Sequence, residues 1–207
     1  MKERGFTIIE VIVTITVVST LVYLLSNLLS STLKGSSKAQ LLGIIKQNGQ
    51  QALDLIADTI RSSDEVVCVR LDSGVNSTAG SGKIITVFNQ GRYISFQINP
   101  EISVASGRIT QLTRVVTSAT EPIDNAGLLA LCDPPQGMNV DWIRTGFLTG
   151  SGVSVKDGQF TVIKSAGAKN TVQIQFDLAP AVGAGSGYEN QLGGSGVLRF
   201  QTTVQLR

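Results

Sequence analysis

Residues 1–25 read MKERGFTIIEVIVTITVVSTLVYLL, and this stretch decides the fold. A short charged tag is followed by an apolar run, and one carboxylate, Glu10, stands inside that run. Across residues 6–33 Glu10 is the only charged side chain, and the next charge is Lys34. These 28 residues exceed the roughly 20 that a helix needs to cross a bilayer core. A lone segment in lipid can satisfy its backbone only as a helix, so the β-branched Ile8, Ile9, Val11, Val13, Val17 and Val18 do not argue for a strand. No proline occurs before Pro100 to force a break.

Working outward, Lys2 and Arg4 precede the run. By the positive-inside tendency they hold the amino terminus in the cytoplasm and export the chain beyond Lys34; Lys34 and Lys38 oppose this. The run is too long for the roughly 7–15-residue core of a cleaved secretory signal. An uncleaved anchor carrying an extracellular binding domain stays open as a reading of another class. Glu10 is the discriminating residue. A carboxylate at mid-bilayer costs about 2.5–3.5 kcal/mol, less near a helix end. An anchor with no other task would do better with Val there. An intramembrane carboxylate calls for a partner, which could be Arg4 or a charge on another copy of the chain.

The stretch KERGFTIIE, residues 2–10, resembles the class III leader of type IV prepilins and type II secretion pseudopilins. In that pattern a basic leader ends in Gly, Phe comes next, Glu is the fifth mature residue, and a long apolar helix begins. The resemblance implies that a prepilin peptidase cuts between Gly5 and Phe6 and methylates the new amine of Phe6. A residue without a side chain at Gly5 suits close approach by the peptidase. Thr7 also fits the family pattern. The resemblance implies a task for Glu10 as well: to pair with the amine of a neighbouring subunit in a low-dielectric filament core and set the axial register. Such a pair matters far more there than in water, and an unpaired carboxylate would be costly. The implied partners are prepilin peptidase, other pilin or pseudopilin subunits, the inner-membrane assembly platform and the lipid bilayer. The implied location is a single-pass inner-membrane precursor with a cytoplasmic amino terminus, then an extracytoplasmic pilus or pseudopilus.

Beyond the membrane, apolar residues at 41, 42, 45, 52, 53, 56 and 60 recur at three- and four-residue steps, which marks one helical face. The helix therefore continues and packs that face on a head domain. Gly35, Gly43 and Gly49 each weaken it by up to about 1 kcal/mol relative to Ala. Gly35-Ser36-Ser37 is the expected kink, and Ser62-Ser63-Asp64 the expected end. Residues 50–61, QQALDLIADTIR, resemble the second helical half of W-type minor pilins and J-type pseudopilins. The segment LTGSGVSVKDGQFTV and the closing FQTTVQLR resemble the ends of the same two types.

From Val66 the hydrophobic period changes to two. VVCVRL, KIITVF, RYISFQI, RITQLTRVV, QFTVIKS, TVQIQFDL and VLRFQTTVQLR read as strands. Asn89-Gln90-Gly91 predicts a hairpin over residues 83–98, with one face of RYISFQI buried. Asp157-Gly158 predicts another turn. Residues 72–82 and 181–196 are Gly/Ser-rich and read as surface loops. The expected fold is α+β and pilin-like. Its parts are a leader (1–5), a transmembrane and filament-core helix (6–33), an amphipathic continuation (34–63) and an exported antiparallel β-sheet head (64–207).

Composition removes several function classes. The chain contains no His, which excludes His-based triads, His metal sites and His acid–base chemistry. The net charge of +2 gives no electrostatic case for nucleic acid. Gly80-Ser81-Gly82-Lys83 is followed by Ile84, where a phosphate-binding loop needs Ser or Thr. Asp124, Asp133, Asp141, Asp157 and Asp177 have no calcium-loop spacing and read as turn formers. Trp142 reads as a core residue or a surface anchor. Neither a metal, a cofactor nor catalysis is expected. Cys68 and Cys132 could form a disulfide in an exported domain or remain two buried thiols.

Overall fold

The computed structural model describes residues 7–71, 76–101, 105–115, 132, 143–164, 167, 169–181 and 197–206. The fold is α+β. Among the described residues it comprises one long helix, α1 (Ile8–Arg61), followed by β1 (Glu65–Leu71), β2 (Asn76–Ser77), β3 (Gly80–Asn89), β4 (Arg92–Asn99), β5 (Arg108–Val115), β6 (Ile143–Phe147), β7 (Val153–Ile163), β8 (Thr171–Pro180) and β9 (Leu198–Gln205). The chain divides into two compact units, Met1–Leu41 and Leu42–Arg207.

In the first unit, helical conformation begins at Ile8 and runs through Gly35, Ser36 and Ser37 without interruption. The kink expected there is not a break in the helix. The Ser37 hydroxyl donates to the Leu33 carbonyl at 3.0 Å, which satisfies it within the helix rather than against it.

In the second unit, α1 buries Ile45, Gly49, Ala52, Ile56, Ala57 and Ile60. Ile45, Ala52, Ile56 and Ile60 belong to the expected stripe and Gly49 and Ala57 are added to it, whereas Leu42 and Leu53 are only half-buried. Gly49 turns from a weak point into a contact. A Cβ there would overlap the ring of Phe200 on β9. Phe200 in turn stacks on Phe176 of β8 at 5.6 Å between centroids. Gly158 of β7 lies against Phe176 and Ile98, which carries the same layer across to β4. The helix ends at Arg61, where the Ser63 hydroxyl donates to the Thr59 carbonyl at 2.6 Å. Asp64 then hands the chain to the sheet: its N–H donates to Phe88 O and its carboxylate accepts from Gln90 N.

Among the described residues all strand pairings are antiparallel, in the order β6-β5-β4-β3-β7-β8-β9, with β1 on β3 and β2 on β1. β3 is the pivot. Residues 84–89 pair β4, and Gly82 to Phe88 pair β1. Gly80, Ser81 and Gly82 pair Val162, Thr161 and Phe160 of β7. The composition of these three residues suggests a loop, but their cross-strand partners make them strand. The Ser81 and Thr161 hydroxyls share a hydrogen bond of 2.8 Å at this seam.

The β3–β4 connection is a two-residue hairpin turn. Asn89 pairs Arg92, and Gln90 and Gly91 both have positive φ (46° and 78°), the left-handed pair that matches strand twist. RYISFQI departs from its expected single buried face. Phe96 and Ile98 are buried on one side, and Tyr93 and Ser95 on the other. The second side is covered by a small core of Val67, Cys68, Tyr93, Leu112 and Cys132 with Phe88 packed against it. Cys68 and Cys132 are joined by a disulfide, with Cα atoms 5.8 Å apart. The sheet is therefore packed on both faces where β3 and β4 run.

Asp157-Gly158 is not a turn. Both residues lie inside β7, just past a bulge between Val155 and Asp157. The bulge absorbs the irregularity that the Asp-Gly pair suggested. β6 has no counterpart among the expected strands; it pairs β5 along Ile143–Phe147.

Candidate functional site

Thr7 and Glu10 sit where α1 begins. Glu10 lies in the first helical turn. The Thr7 carbonyl accepts the N–H of Glu10 at 3.1 Å and of Val11 at 3.3 Å. Thr7 is thus the residue that starts the helix, and Glu10 stands three positions later. This is the spacing Thr-x-x-Glu of a helix amino terminus, a local signal that the family pattern of these residues overshadows. A carboxylate in the first turn also meets the positive end of the helix dipole, worth about 0.3–1 kcal/mol. A structural duty therefore accompanies any assembly duty of Glu10.

From Val11 to Leu33 the helix is an uncovered apolar cylinder. The large apolar side chains from Ile8 to Leu33 are between 43% and 81% exposed. A helix apolar all round cannot stay in water and must be covered by lipid or by other helices. Its threonine hydroxyls beyond Thr7 are satisfied within the helix. Thr14 donates to Val11 O, Thr16 to Ile12 O, Thr20 to Val17 O and Thr32 to Leu28 O, all at 2.5–2.9 Å. Back-bonding of this kind is what polar side chains need in a medium that offers no partner. The helix is long and apolar enough to cross a membrane.

The head brings together residues the sequence did not single out. Glu101 accepts from Ser154 Oγ at 2.5 Å and from Lys156 Nζ at 2.6 Å. Ser154 Oγ accepts the Gly107 N–H at 2.9 Å. Burial pushes the Glu101 carboxyl up. The hydrogen bonds from Lys156 and Ser154, with the charge of Lys156, outweigh that and hold it below its ordinary value. Serine, lysine and carboxylate in contact resemble a nucleophile site, but Ser154 is wholly buried and its proton is committed to Glu101. The cluster is a clamp. It ties Glu101 and Gly107 to β7, together with Glu101 N–H to Val155 O and Val155 N–H to Gly107 O. A side chain at 107 would collide with the Val155 carbonyl, so the clamp needs glycine there.

Asp157 and Asp177 face each other across β7 and β8. Like charges in that position repel, and each has its own cation. Lys83 lies 3.9 Å from Asp157, and Arg199 forks onto Asp177 with two bonds of 2.9 Å. These two aspartates are strand residues in a charge ladder, not turn formers. They line a polar groove of about 220 Å³ with Lys83, Gln159 and Gln175. No cluster of three or more metal-ligating side chains occurs among the described residues.

The expected leader residues Lys2, Arg4, Gly5 and Phe6 lie outside the described residues, as do Asp124, Asp133, Asp141 and Trp142. No curated protein and no solved structure matches the chain. Residues 1–22 match the family model described as "Prokaryotic N-terminal methylation motif". The match covers the charged tag, the Gly5-Phe6 junction, Thr7, Glu10 and the first half of the apolar run. This chain therefore carries at its amino terminus the class III leader that marks the type IV pilin and pseudopilin family, a substrate signal for prepilin peptidase.

Proposed function

We propose that the protein is a minor-pilin-type structural subunit and not a catalyst. It enters the inner membrane as a precursor with its amino terminus in the cytoplasm. Prepilin peptidase cuts it between Gly5 and Phe6 and methylates Phe6. The subunit then joins other pilins in an extracytoplasmic filament through residues 6–33. The observation that carries this reading is the methylation motif over residues 1–22, continued without a break by a helix whose apolar surface is exposed all round. Lipid covers that surface in the precursor, and neighbouring helices cover it in the filament. Glu10 pairs with the new amine of a neighbour's Phe6 once the helices pack side by side.

Mass spectrometry of the amino terminus from cells with an active prepilin peptidase tests the reading. The expected product begins at a methylated Phe6. A chain that still begins at Met1, or one cut beyond the apolar run, would overturn it in favour of an anchor or a secretory signal.

A further inference from the structure

The charges that bracket the apolar helix are spaced like a bilayer. Residues 11–33 carry no charge and are helical throughout. At 1.5 Å per residue, Lys34 lies about 36 Å along the axis from Glu10 and Lys38 about 42 Å. The hydrocarbon core is about 30 Å thick, and the bilayer with its headgroups about 40–45 Å. A tilt of about 20° shortens the first span only to about 34 Å. Neither charge needs to enter hydrocarbon, but the fit leaves little slack. Glu10 at one headgroup layer places Lys34 and Lys38 at the other.

The two lysines are one turn apart, which puts them on the same side of the helix. No Asp or Glu occurs between Glu10 and Asp54, so the helix itself offers them no carboxylate. Neither takes part in an ion pair or a side-chain hydrogen bond among the described residues. Lys34 is exposed. Two unpaired ammonium groups at the depth of a phosphate layer are matched to phosphate, and their long stems can lie along the apolar surface while the charges reach it.

We infer that Lys34 and Lys38 bind phospholipid phosphates in the leaflet on the exported side, and that this contact sets the depth of the helix. The inference rests on the membrane-inserted precursor proposed above. It gives the two lysines that oppose the positive-inside tendency a task. It also keeps Glu10 hydrated at the opposite face until the subunit leaves the bilayer. Glu10 then reaches a low-dielectric setting only during assembly, when a neighbour's amine is at hand. Leaving the bilayer breaks the lysine–phosphate contacts.

The test is a depth profile of the full-length chain in phospholipid vesicles. A nitroxide is placed on single cysteines introduced at each position from 14 to 30, and its collision rates with oxygen and with a water-soluble nickel complex give its depth. Cys68 and Cys132 are bonded to each other and take no label. The deepest position is expected at residue 22, midway between Glu10 and Lys34. In K34Q/K38Q the uncharged stretch extends to residue 45, and the deepest position should move by two or more residues toward the carboxyl terminus. K34R/K38R should restore it. Wild type in phosphate-free galactolipid vesicles should behave like K34Q/K38Q. An unchanged profile in K34Q/K38Q, or in galactolipid, would overturn the phosphate contact. A helix that is water-accessible at every position would overturn the membrane-inserted precursor itself, and the inference with it.

Discussion

Replacing Gly49 by Ala should destabilise the head, although Ala is the better helix former. A Gly-to-Ala change in a helix interior favours folding by about 0.8–1 kcal/mol. Here the added methyl would overlap the tip of the Phe200 ring. That ring can yield only by leaving its stack on Phe176, 5.6 Å away with an interplanar angle of 21°. Losing an aromatic pair costs about 0.5–1.5 kcal/mol, and forcing a methyl into a packed site costs about 1–3 kcal/mol. The net loss is then about 1–3 kcal/mol, or roughly 2–12 °C in Tm at about 2–4 °C per kcal/mol for a chain of this size. The sign should reverse once the ring is gone. In an F200A background, which is itself less stable, adding G49A should raise stability by about 1 kcal/mol, because only the propensity gain remains. Urea unfolding of the full-length chain in mild detergent, monitored by fluorescence of the single Trp, closes the double-mutant cycle. A G49A single variant more stable than wild type, or no reversal in the F200A background, would refute the packing argument.

Three further outcomes are expected. E101Q should lower stability by about 1.5–3 kcal/mol at neutral pH, the range for a hydrogen bond to a charged group. Because the folded carboxyl is held below its ordinary value of 4.5, the clamp's contribution should be complete above about pH 4.5 and fade as pH falls through the lower folded value; urea midpoints against pH should show that acid slope in wild type and not in E101Q. C132S should cost about 4 kcal/mol in the chain-entropy model for a bridge spanning 64 residues, and wild type under reducing conditions should show the same loss of unfolding midpoint. E10V should insert in the membrane and be cut normally but fail to enter filaments, judged by comparing membrane and sheared-filament fractions; normal incorporation would refute the pairing role of Glu10.

How much was legible in the sequence differs by element. The apolar run with a single carboxylate announced the helix and its leader. Each is written in consecutive residues, and lipid allows only one backbone solution for such a run. The stripe at 45, 52, 56 and 60 marked the packed face because helical period is a local property. The hairpin at Gln90-Gly91 was legible for the same reason: its turn chemistry is contained in two residues. β6 was not, because Gly146 and a bulge beside it interrupt any alternation in IRTGF. Nor was the first half of β7, because Asp-Gly is a turn signal unless a neighbouring strand claims its backbone, and β8 does.

The amino-acid sequence by itself determined that this protein has an apolar helix behind a peptidase signal, with a β-rich head beyond it. These features depend on composition and on neighbours within about one turn or one strand. Only the tertiary structure decided what Gly49 is for, why RYISFQI buries both faces, and that Glu101, Ser154 and Lys156 form a clamp. Each of those depends on residues dozens of positions apart, brought together by sheet register. Register is settled by the sum of many weak pairings and by the bulges that shift them, and no single stretch of sequence carries that sum.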